Sequence, residues 1–350
     1  MRIRYGGKKE MWKIVEKILD YKGYLGNREK KTNLHKVSRE EFTLLLGGIA
    51  SFRKVPGIPC HMGFEELYHC ENEEAENLVK EHLQKMYDIE DEDSLLRTCY
   101  TTFSGSGEYE QFMTFWKNAP LFDISQLEPQ GKQAFEKCKN IAGHFYPFLQ
   151  EKGFYAWDIS ERIVICRLAV ACGIISEEDF GEITDEWVRL AQVFYQSYEE
   201  YAISCLCGAI YQMARYEEPD LEGYLKLNIQ ILDILFGENG PWYENSWYEP
   251  EEREWVHLVR ENLGCFITKK ALEEDFIGYI FRSEPDPEHP DSGWRFMYGD
   301  EDEEYLKDSD NTEIVGLDTV CNLHPDILAY IHSAPGRGFE MSETGWIEEE

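Results

Sequence analysis

Positive charge is scarce in this sequence. The 350 residues include 35 Lys and Arg against 68 Asp and Glu, which gives a formal net charge of −33 at pH 7. A surface of that sign repels the phosphates of nucleic acids, whereas it favours a basic partner or simply high solubility. We therefore expect no nucleic-acid partner.

Long hydrophobic runs are missing as well. The longest, from Ile163 to Ile175, is interrupted by Arg167 and is shorter than the ~20 residues that a membrane-spanning helix needs. The N-terminal charges are not followed by an apolar stretch, so we expect no secretory signal. The ten cysteines form no CxxC pair, which is typical of reduced, mostly buried thiols. These features predict a cytoplasmic protein without a membrane partner.

The motifs of common catalytic and nucleotide-binding sites are absent from the sequence. Gly105-Ser106-Gly107 lacks both the later glycine of a dinucleotide fingerprint and the Lys-Ser/Thr of a phosphate-binding loop. Neither a G-x-S-x-G nucleophile turn nor an H-E-x-x-H zinc motif occurs. The sequence therefore identifies no catalytic residue and no cofactor, although it leaves an enzyme of unknown reaction open.

The charge is distributed unevenly along the chain. Residues 1–40 carry 12 basic and 5 acidic side chains, whereas residues 271–350 carry 4 basic and 22 acidic ones. We interpret the basic start as a solvated helix face rather than as an arm for membranes or nucleic acids. The acidic end culminates in five consecutive acids, Asp300 to Glu304, which are expected to lie at the surface.

The spacing of apolar residues predicts a helical middle region. Between about residues 72 and 235 apolar side chains recur every three to four positions, which is typical of consecutive helices packed as a bundle. Ser176 and Asp179 form a capping-box signature at one helix start. Thr184 is predicted to cap the helix that follows.

The pattern changes after residue 270. Short runs of aromatic and β-branched residues predict strands over 276–281, 294–298 and 313–317, followed by a helix over 325–332. The fold class is therefore multidomain α+β, with a mainly helical N-terminal and middle region followed by a small α+β C-terminal domain. We predict a basic, mostly helical segment (1–71), a helical domain (72–235), an aromatic and acidic connection (236–267) and a small acidic α+β domain (268–346).

Two clusters resemble metal sites only partly. A calcium loop that starts at Asp308 would need a glycine at its sixth position and a glutamate at its twelfth, but Glu313 and Thr319 stand there. A cation site of another pattern stays open for this acidic region. The segment from Cys60 to Cys70 also contains His61 and His69, which are ligand types that zinc accepts. Because each cysteine directly adjoins a histidine, we prefer buried thiols with nearby surface histidines, and we predict no metal.

Polar residues on the helical part form a second candidate site. Asp158 and Arg162 are four positions apart at the start of a mostly apolar helix, a spacing that allows them to pair. Together with Glu199 they could line a polar pocket. We prefer the interpretation that Asp158 and Arg162 form a partly buried ion pair that fixes the position of the helix.

The C-terminal part, about residues 268–342, resembles the bacterial immunity protein 33 family. Cys321 and His324 depart from the family pattern. The residues that carry the resemblance are Gly278, Tyr279, Arg282, Asp291, Ser292, Gly293, Trp294, Arg295, Gly299, Asp300, Glu301, Tyr305, Pro325, Asp326 and Phe339.

The middle part, about residues 72–235, resembles the bacterial family called domain of unknown function 1266. Tyr198 stands where that family is expected to have Trp. The resemblance implies a helical fold and no activity. It rests on Trp157-Asp158, Arg162, the stretch Gly173 to Glu178, Ser197 to Glu200, and Gly208.

The first resemblance implies a non-enzymatic immunity protein that neutralises a protein toxin. The acidic C-terminal domain suits a basic toxin, with Asp300, Glu301, Asp302, Glu303, Glu304 and Tyr305 as the hypothetical contact residues. Gly278, Asp291, Gly293, Trp294 and Gly299 are expected to build the domain, and Trp294 is expected to be buried. An acidic scaffold or interaction protein stays open as another class.

Overall fold

The chain divides into two compact units, Met1–Glu249 (unit 1) and Pro250–Glu350 (unit 2). The boundary falls inside the predicted connection, and the finer four-part division stays a prediction. The candidate glycine stretch Gly105 to Gly107 lies outside the described residues. The computed structural model describes residues 7–52, 60–61, 63–101, 124–149, 152–214, 220–250, 254–259, 262–331, 333–342 and 345–349.

Unit 1 is helical apart from one short antiparallel hairpin, β1 (Cys60–His61) and β2 (His69–Cys70), in its described part. This confirms the predicted helical architecture of the first two thirds of the chain. Its helices are α1 (Gly7–Gly26), α2 (Arg39–Leu45), α3 (Gly48–Ser51), α4 (Glu73–Tyr87), α5 (Glu92–Thr101), α6 (Pro129–Leu149), α7 (Tyr155–Ala171), α8 (Glu177–Phe194), α9 (Tyr198–Met213), α10 (Leu221–Leu235) and α11 (Pro241–Glu244).

Helices α7 and α9 form the centre of unit 1. Both bury residues on all sides, as expected for helices that are surrounded by other helices. A Cβ atom on Gly208 of α9 would lie 2.4 Å from the Cβ of Trp157 on α7. The two helices therefore approach this closely only because residue 208 has no side chain.

The ends of α7 and α8 follow the predicted signals in part. Gly173 has a φ of 72° just after α7, the left-handed conformation that commonly ends helices. Ser176 and Asp179 form the predicted capping box of α8. The predicted cap at Thr184 is wrong, because Thr184 lies inside α8 and its hydroxyl donates to the carbonyl of Phe180 at 2.8 Å. A threonine hydroxyl can be satisfied in this way without ending the helix.

The aromatic segment after α10 packs within unit 1. Trp242 is buried, and its indole N–H donates to the carbonyl of Leu45 at 3.0 Å. The Trp242 ring also stacks on that of Tyr198, with 5.4 Å between the ring centroids. These contacts make Trp242 part of the core of unit 1.

The basic residues near the N-terminus face acids of the same unit. Lys17 pairs with Glu222, and Lys31 pairs with Glu244. Arg39 pairs with Asp185 in a contact between α2 and α8. The positive charge of this region is thus partly compensated within unit 1, which supports its interpretation as a charged helix face.

Unit 2 contains a mixed six-stranded sheet with the strand order β6-β3-β5-β4-β7-β8. Strands β3 and β5 are parallel, and the other neighbouring strands are antiparallel. This confirms the predicted α+β character. The elements are β3 (Gly264–Thr268), α12 (Lys269–Glu273), β4 (Tyr279–Arg282), β5 (Asp291–Met297), α13 (Glu303–Lys307), β6 (Thr312–Gly316), α14 (Leu317–Leu323), β7 (Gly338–Ser342) and β8 (Gly345–Glu348).

The core of unit 2 is centred on β5. Trp294 is 1% exposed, and its indole N–H donates to the carbonyl of Ile331 at 3.0 Å. Its predicted burial is therefore confirmed. The helix predicted over 325–332 begins where expected, but it is a 3-10 helix over Pro325–Ala329, and the α-helix of this region is α14.

Candidate functional site

One end of the sheet in unit 2 gathers the acidic residues. Strands β3 and β5 are parallel and finish there, while the antiparallel neighbours β4 and β6 begin there. We call this the acid end and define it as residues 268–278 and 298–311. These two segments contain ten Asp and Glu and three Lys. The acids are therefore brought together by the topology of the sheet as well as by the run from Asp300 to Glu304.

Glu301 joins the two segments of the acid end. Its carboxylate accepts hydrogen bonds from the hydroxyl of Thr268 at 2.6 Å and from the backbone N–H groups of Tyr298 and Gly299 at 2.7 Å each. Burial raises the pKa of Glu301, but these hydrogen bonds outweigh it and hold the pKa below the ordinary value. The expectation that the whole run faces outward is thus wrong at Glu301.

The other acids of the run are exposed, and three of them make local contacts. Asp302 caps α13, since its carboxylate accepts from the backbone N–H of Tyr305 at 2.8 Å. Asp300 lies 2.5 Å from the Lys270 ammonium, and this hydrogen bond raises the pKa of Lys270. Glu303 reaches Lys307 at 2.9 Å along the exposed face of α13. Exposed pairs of this kind contribute little stability.

Glu304 and Tyr305 complete the predicted contact set. Glu304 is exposed, and Tyr305 is half-buried. The Tyr305 hydroxyl accepts a hydrogen bond from the backbone N–H of Lys270 at 3.3 Å. Tyr305 therefore connects α13 to α12, while Glu304 is directed to solvent.

Two aromatic rings lie within the acid end. Phe276 is 43% exposed, and its ring meets that of Tyr298 edge to face at 5.4 Å between centroids. The Lys270 ammonium lies 4.4 Å from the centroid of the Tyr298 ring. Sequence patterns did not identify this pair, because both residues adjoin strands and appeared to belong to the core. Phe276 lies just before β4 and Tyr298 just after β5, and the antiparallel pairing of these two strands brings the rings together.

The predicted structural residues Asp291 and Gly293 shape the opposite end of β5. The Nη1 and Nη2 groups of Arg295 donate to the two carboxylate oxygens of Asp291 at 2.9 Å each, and this holds the pKa of Asp291 well below its usual range. Gly293 has a φ of 81°, and a Cβ atom there would lie 2.4 Å from the carbonyl oxygen of Ser283. Only glycine fits this turn of the strand.

Gly278 and Gly299, the remaining predicted structural residues, lie against each other at the acid end. A Cβ atom on Gly278 would lie 2.1 Å from the carbonyl oxygen of Tyr298, and one on Gly299 would lie 3.3 Å from the carbonyl carbon of Gly278. The close approach of these two segments places Phe276 beside Tyr298.

The three polar residues predicted as a second candidate site lie in different environments of unit 1. Asp158 is buried on α7, and Arg162 lies half-buried one turn further along the same helix. Glu199 stands at the start of α9, 3.6 Å from the exposed ammonium of Lys30. The pairing of Asp158 with Arg162 stays a prediction, and Glu199 belongs to the charged surface.

Two of the surface cavities in the described part of unit 1 border α1. One of about 420 Å³ is lined by residues of α1 and α6 that include Trp12 and His144. The other, of about 550 Å³, lies between α1 and α10 beside Tyr21 and Asp233. Asp158 and Arg162 line neither of them.

A buried arginine that the sequence patterns did not single out as a site anchors a loop of unit 1. Arg167 is 0% exposed and donates to the carbonyl of Gly63 at 2.6 Å, to the carbonyl of Glu66, and to the hydroxyl of Ser51 at 3.1 Å. Its guanidinium also lies 3.9 Å from the centroid of the Tyr68 ring. These contacts hold the β1–β2 region against α7.

No group of three or more metal-ligand side chains is found within the described ranges. The hairpin register places Cys60 opposite Cys70 and His61 opposite His69. The side chains of Cys60 and His61 are not among the described ones, so the role of this cluster stays a prediction. None of the helices in the described segments is long and apolar enough to cross a bilayer.

Two family models match the chain. Residues 265–350 match the family described as Immunity protein Imm33 domain, and residues 82–247 match the family described as Protein of unknown function (DUF1266). Both matches confirm the resemblances that the sequence motifs indicated. No match was found among curated proteins or among solved structures. The C-terminal match suggests an immunity-protein family, which implies a protein partner.

Proposed function

We propose that unit 2 is an immunity domain that binds and neutralises a basic protein toxin in the cytoplasm, and that its acid end is the contact surface. The observation that carries this proposal is the division of the acids described above. The carboxylate of Glu301 is engaged in hydrogen bonds within unit 2, whereas the carboxylates of Asp300, Glu303 and Glu304 are exposed. The family match to residues 265–350 supports a protein partner for this unit.

The sign of the charge specifies the chemistry of the partner. Ten acids against three lysines at the acid end create a negative potential that attracts a basic surface. Complementary charge of this kind increases the association rate and the selectivity for a partner more than it increases affinity. The acids are therefore expected to steer the toxin and to form the rim of the interface.

The centre of the interface is proposed to be the aromatic pair Phe276 and Tyr298. Interface energy usually concentrates in a few aromatic or arginine side chains that become buried on binding. Phe276 is exposed enough to lose surface to a partner, and its neighbour Tyr298 holds the ring in place. The acids around it would then pair with lysines and arginines at the edge of the contact.

The experiment compares association rates with the product of the neighbouring gene, since immunity genes lie beside toxin genes. The test variant is Glu303→Gln with Glu304→Gln, which removes two exposed charges from the acid end. The control is Glu284→Gln with Glu288→Gln, which removes two exposed charges from the loop between β4 and β5 at the opposite end of the sheet. Both variants change the net charge of the protein equally.

The test variant should bind about threefold or more slowly at low ionic strength, because the potential next to the partner falls. The difference should vanish near 1 M salt, where the screening length is about 3 Å. The control should change the rate by less than about twofold. Equal slowing of association by both variants would place the interface elsewhere. If the product of the neighbouring gene does not bind at all, the proposed immunity function is wrong.

A further inference from the structure

The edge of the sheet next to the acid end is open. Strand β6 pairs with β3 on one side, and no described strand pairs with its other side. Ile314, in the middle of β6, is 71% exposed, the highest value among the exposed large hydrophobic side chains of the described residues. Edge strands are ordinarily protected by charges, prolines or bulges at such a position.

The register shows which peptide groups point outward. The backbone N–H of Leu317 donates to the carbonyl of Leu263 at 2.9 Å, and the residues of β6 and β3 pair one for one from Gly316 to Thr312. Because hydrogen-bonded residues alternate along an antiparallel pair, Val315 and Glu313 direct their peptide groups to β3. The N–H and C=O of Ile314 therefore point away from the sheet, where an added strand would meet them.

The surroundings of β6 indicate what would add to it. The strand follows directly after Asp308 and Asp310, both exposed, and contains the exposed Glu313. A second copy of this chain would bring another strongly acidic unit to the same edge, since residues 271–350 contain 22 acids and 4 basic residues. An extended segment that carries Lys or Arg beside an apolar residue fits both the charges and Ile314.

We propose that β6 accepts a basic, extended segment of the toxin as a seventh strand of the sheet. The segment binds the outward N–H and C=O of Ile314 and covers the Ile314 side chain with an apolar residue. Its basic residues meet Asp308, Asp310 and Glu313. This inference rests on the proposed immunity function and adds the mode of binding to it.

The structure provides a selective variant for the test. In Ile314→Pro the ring removes the outward N–H and obstructs the open edge, but no hydrogen bond to β3 is lost because the N–H of Ile314 does not point there. Ile314→Lys adds a charge that opposes strand addition. The matched control is Ile347→Lys, which changes an isoleucine that is 52% exposed on β8, the strand at the other edge of the same sheet.

The affinity of the full chain for the toxin is measured for all three variants, with circular dichroism to verify the fold. Ile314→Pro and Ile314→Lys should each weaken binding by about tenfold or more, since each prevents the strand pairing by which the segment binds. Ile347→Lys should stay within about twofold, because surface substitutions outside an interface have small effects. Amide exchange of residues 312–316 should slow in the complex.

Three results would overturn the inference. Parental affinity in Ile314→Pro with unchanged exchange at 312–316 would reject strand addition and leave the immunity function standing. A parental dimer that Ile314→Pro dissociates would make a second copy the occupant of this edge. If the parental chain does not bind the product of the neighbouring gene, both strand addition and the proposed immunity function are wrong.

Discussion

The carboxylate of Glu301 lies 2.6 Å from the hydroxyl of Thr268, across the two segments that form the acid end. One acid of the run is therefore a structural clamp between the end of β3 and the end of β5. The exposed acids on either side of it do not connect these two strand ends. This division separates substitutions that should affect stability from those that should affect binding.

Glu301→Gln should destabilise unit 2 by about 1–3 kcal/mol. The NH2 group of the amide would face one of the donors that now bind the two carboxylate oxygens, and losing a hydrogen bond to a charged group costs about that much. Glu304→Gln should change the unfolding free energy by less than about 0.5 kcal/mol, as is usual for exposed sites. Both changes in unfolding free energy are measured by urea unfolding of the full chain, with amide exchange of residues 262–331 as the signal for unit 2. Equal stability of the two variants would contradict the clamp.

Unit 2 should lose stability in acid through Asp291. Its hydrogen bonds with Arg295 depress the pKa of Asp291 in the folded state, so the stabilisation is present above the unfolded-state value of about 3.9 and is lost as the pH falls below it. Asp291→Asn should lower the urea midpoint at pH 7 and flatten the decrease between pH 4 and about pH 2. An unchanged pH profile in this variant would show that other acids dominate.

Trp294→Ala should cost about 3–5 kcal/mol, because it removes a fully buried aromatic side chain from a small core. Trp255 belongs to the same unit but is 60% exposed. Trp255→Ala should therefore change the unfolding free energy by less than about 1 kcal/mol. The difference between the two urea midpoints tests the assignment, and similar midpoints would mean that Trp294 has no special place in the core.

Arg167→Lys should destabilise unit 1 by about 3 kcal/mol or more. Lysine cannot reproduce the planar fork that reaches Ser51, Gly63 and Glu66 together, and a buried ammonium with fewer hydrogen bonds is costly. Arg97→Lys serves as the control on α5, where the arginine is exposed. Peptides from the β2 region should exchange faster in Arg167→Lys. Unchanged exchange there would show that Arg167 does not anchor this loop.

The sequence predicted features that depend on neighbouring residues. The change from helical spacing to short apolar runs separated the helical part from the sheet, and the capping box at Ser176 marked the start of α8. Trp294 was expected in the core because it stands between a glycine and a short strand. Each of these depends on local periodicity or on one turn of the backbone.

Features that depend on distant residues were missed. Strands β3, β7 and β8 have only four or five residues each. Strands β3 and β7 pair with strands distant in the sequence, and the edge strand β8 pairs with β7. The inward direction of Glu301 depends on Thr268, and the exposure of Ile314 depends on its place at the sheet edge. In the run from Asp300 to Glu304 the residue types alone do not distinguish the clamp from the outward acids.

Toxin neutralisation is tested most directly by bacterial growth with the product of the neighbouring gene expressed. This product should inhibit growth alone, and co-expression of the full chain should restore growth. Glu303→Gln with Glu304→Gln should protect less than the control Glu284→Gln with Glu288→Gln, at equal protein levels. Growth inhibition that persists undiminished in the presence of the full parental chain would show that the protein does not neutralise this product.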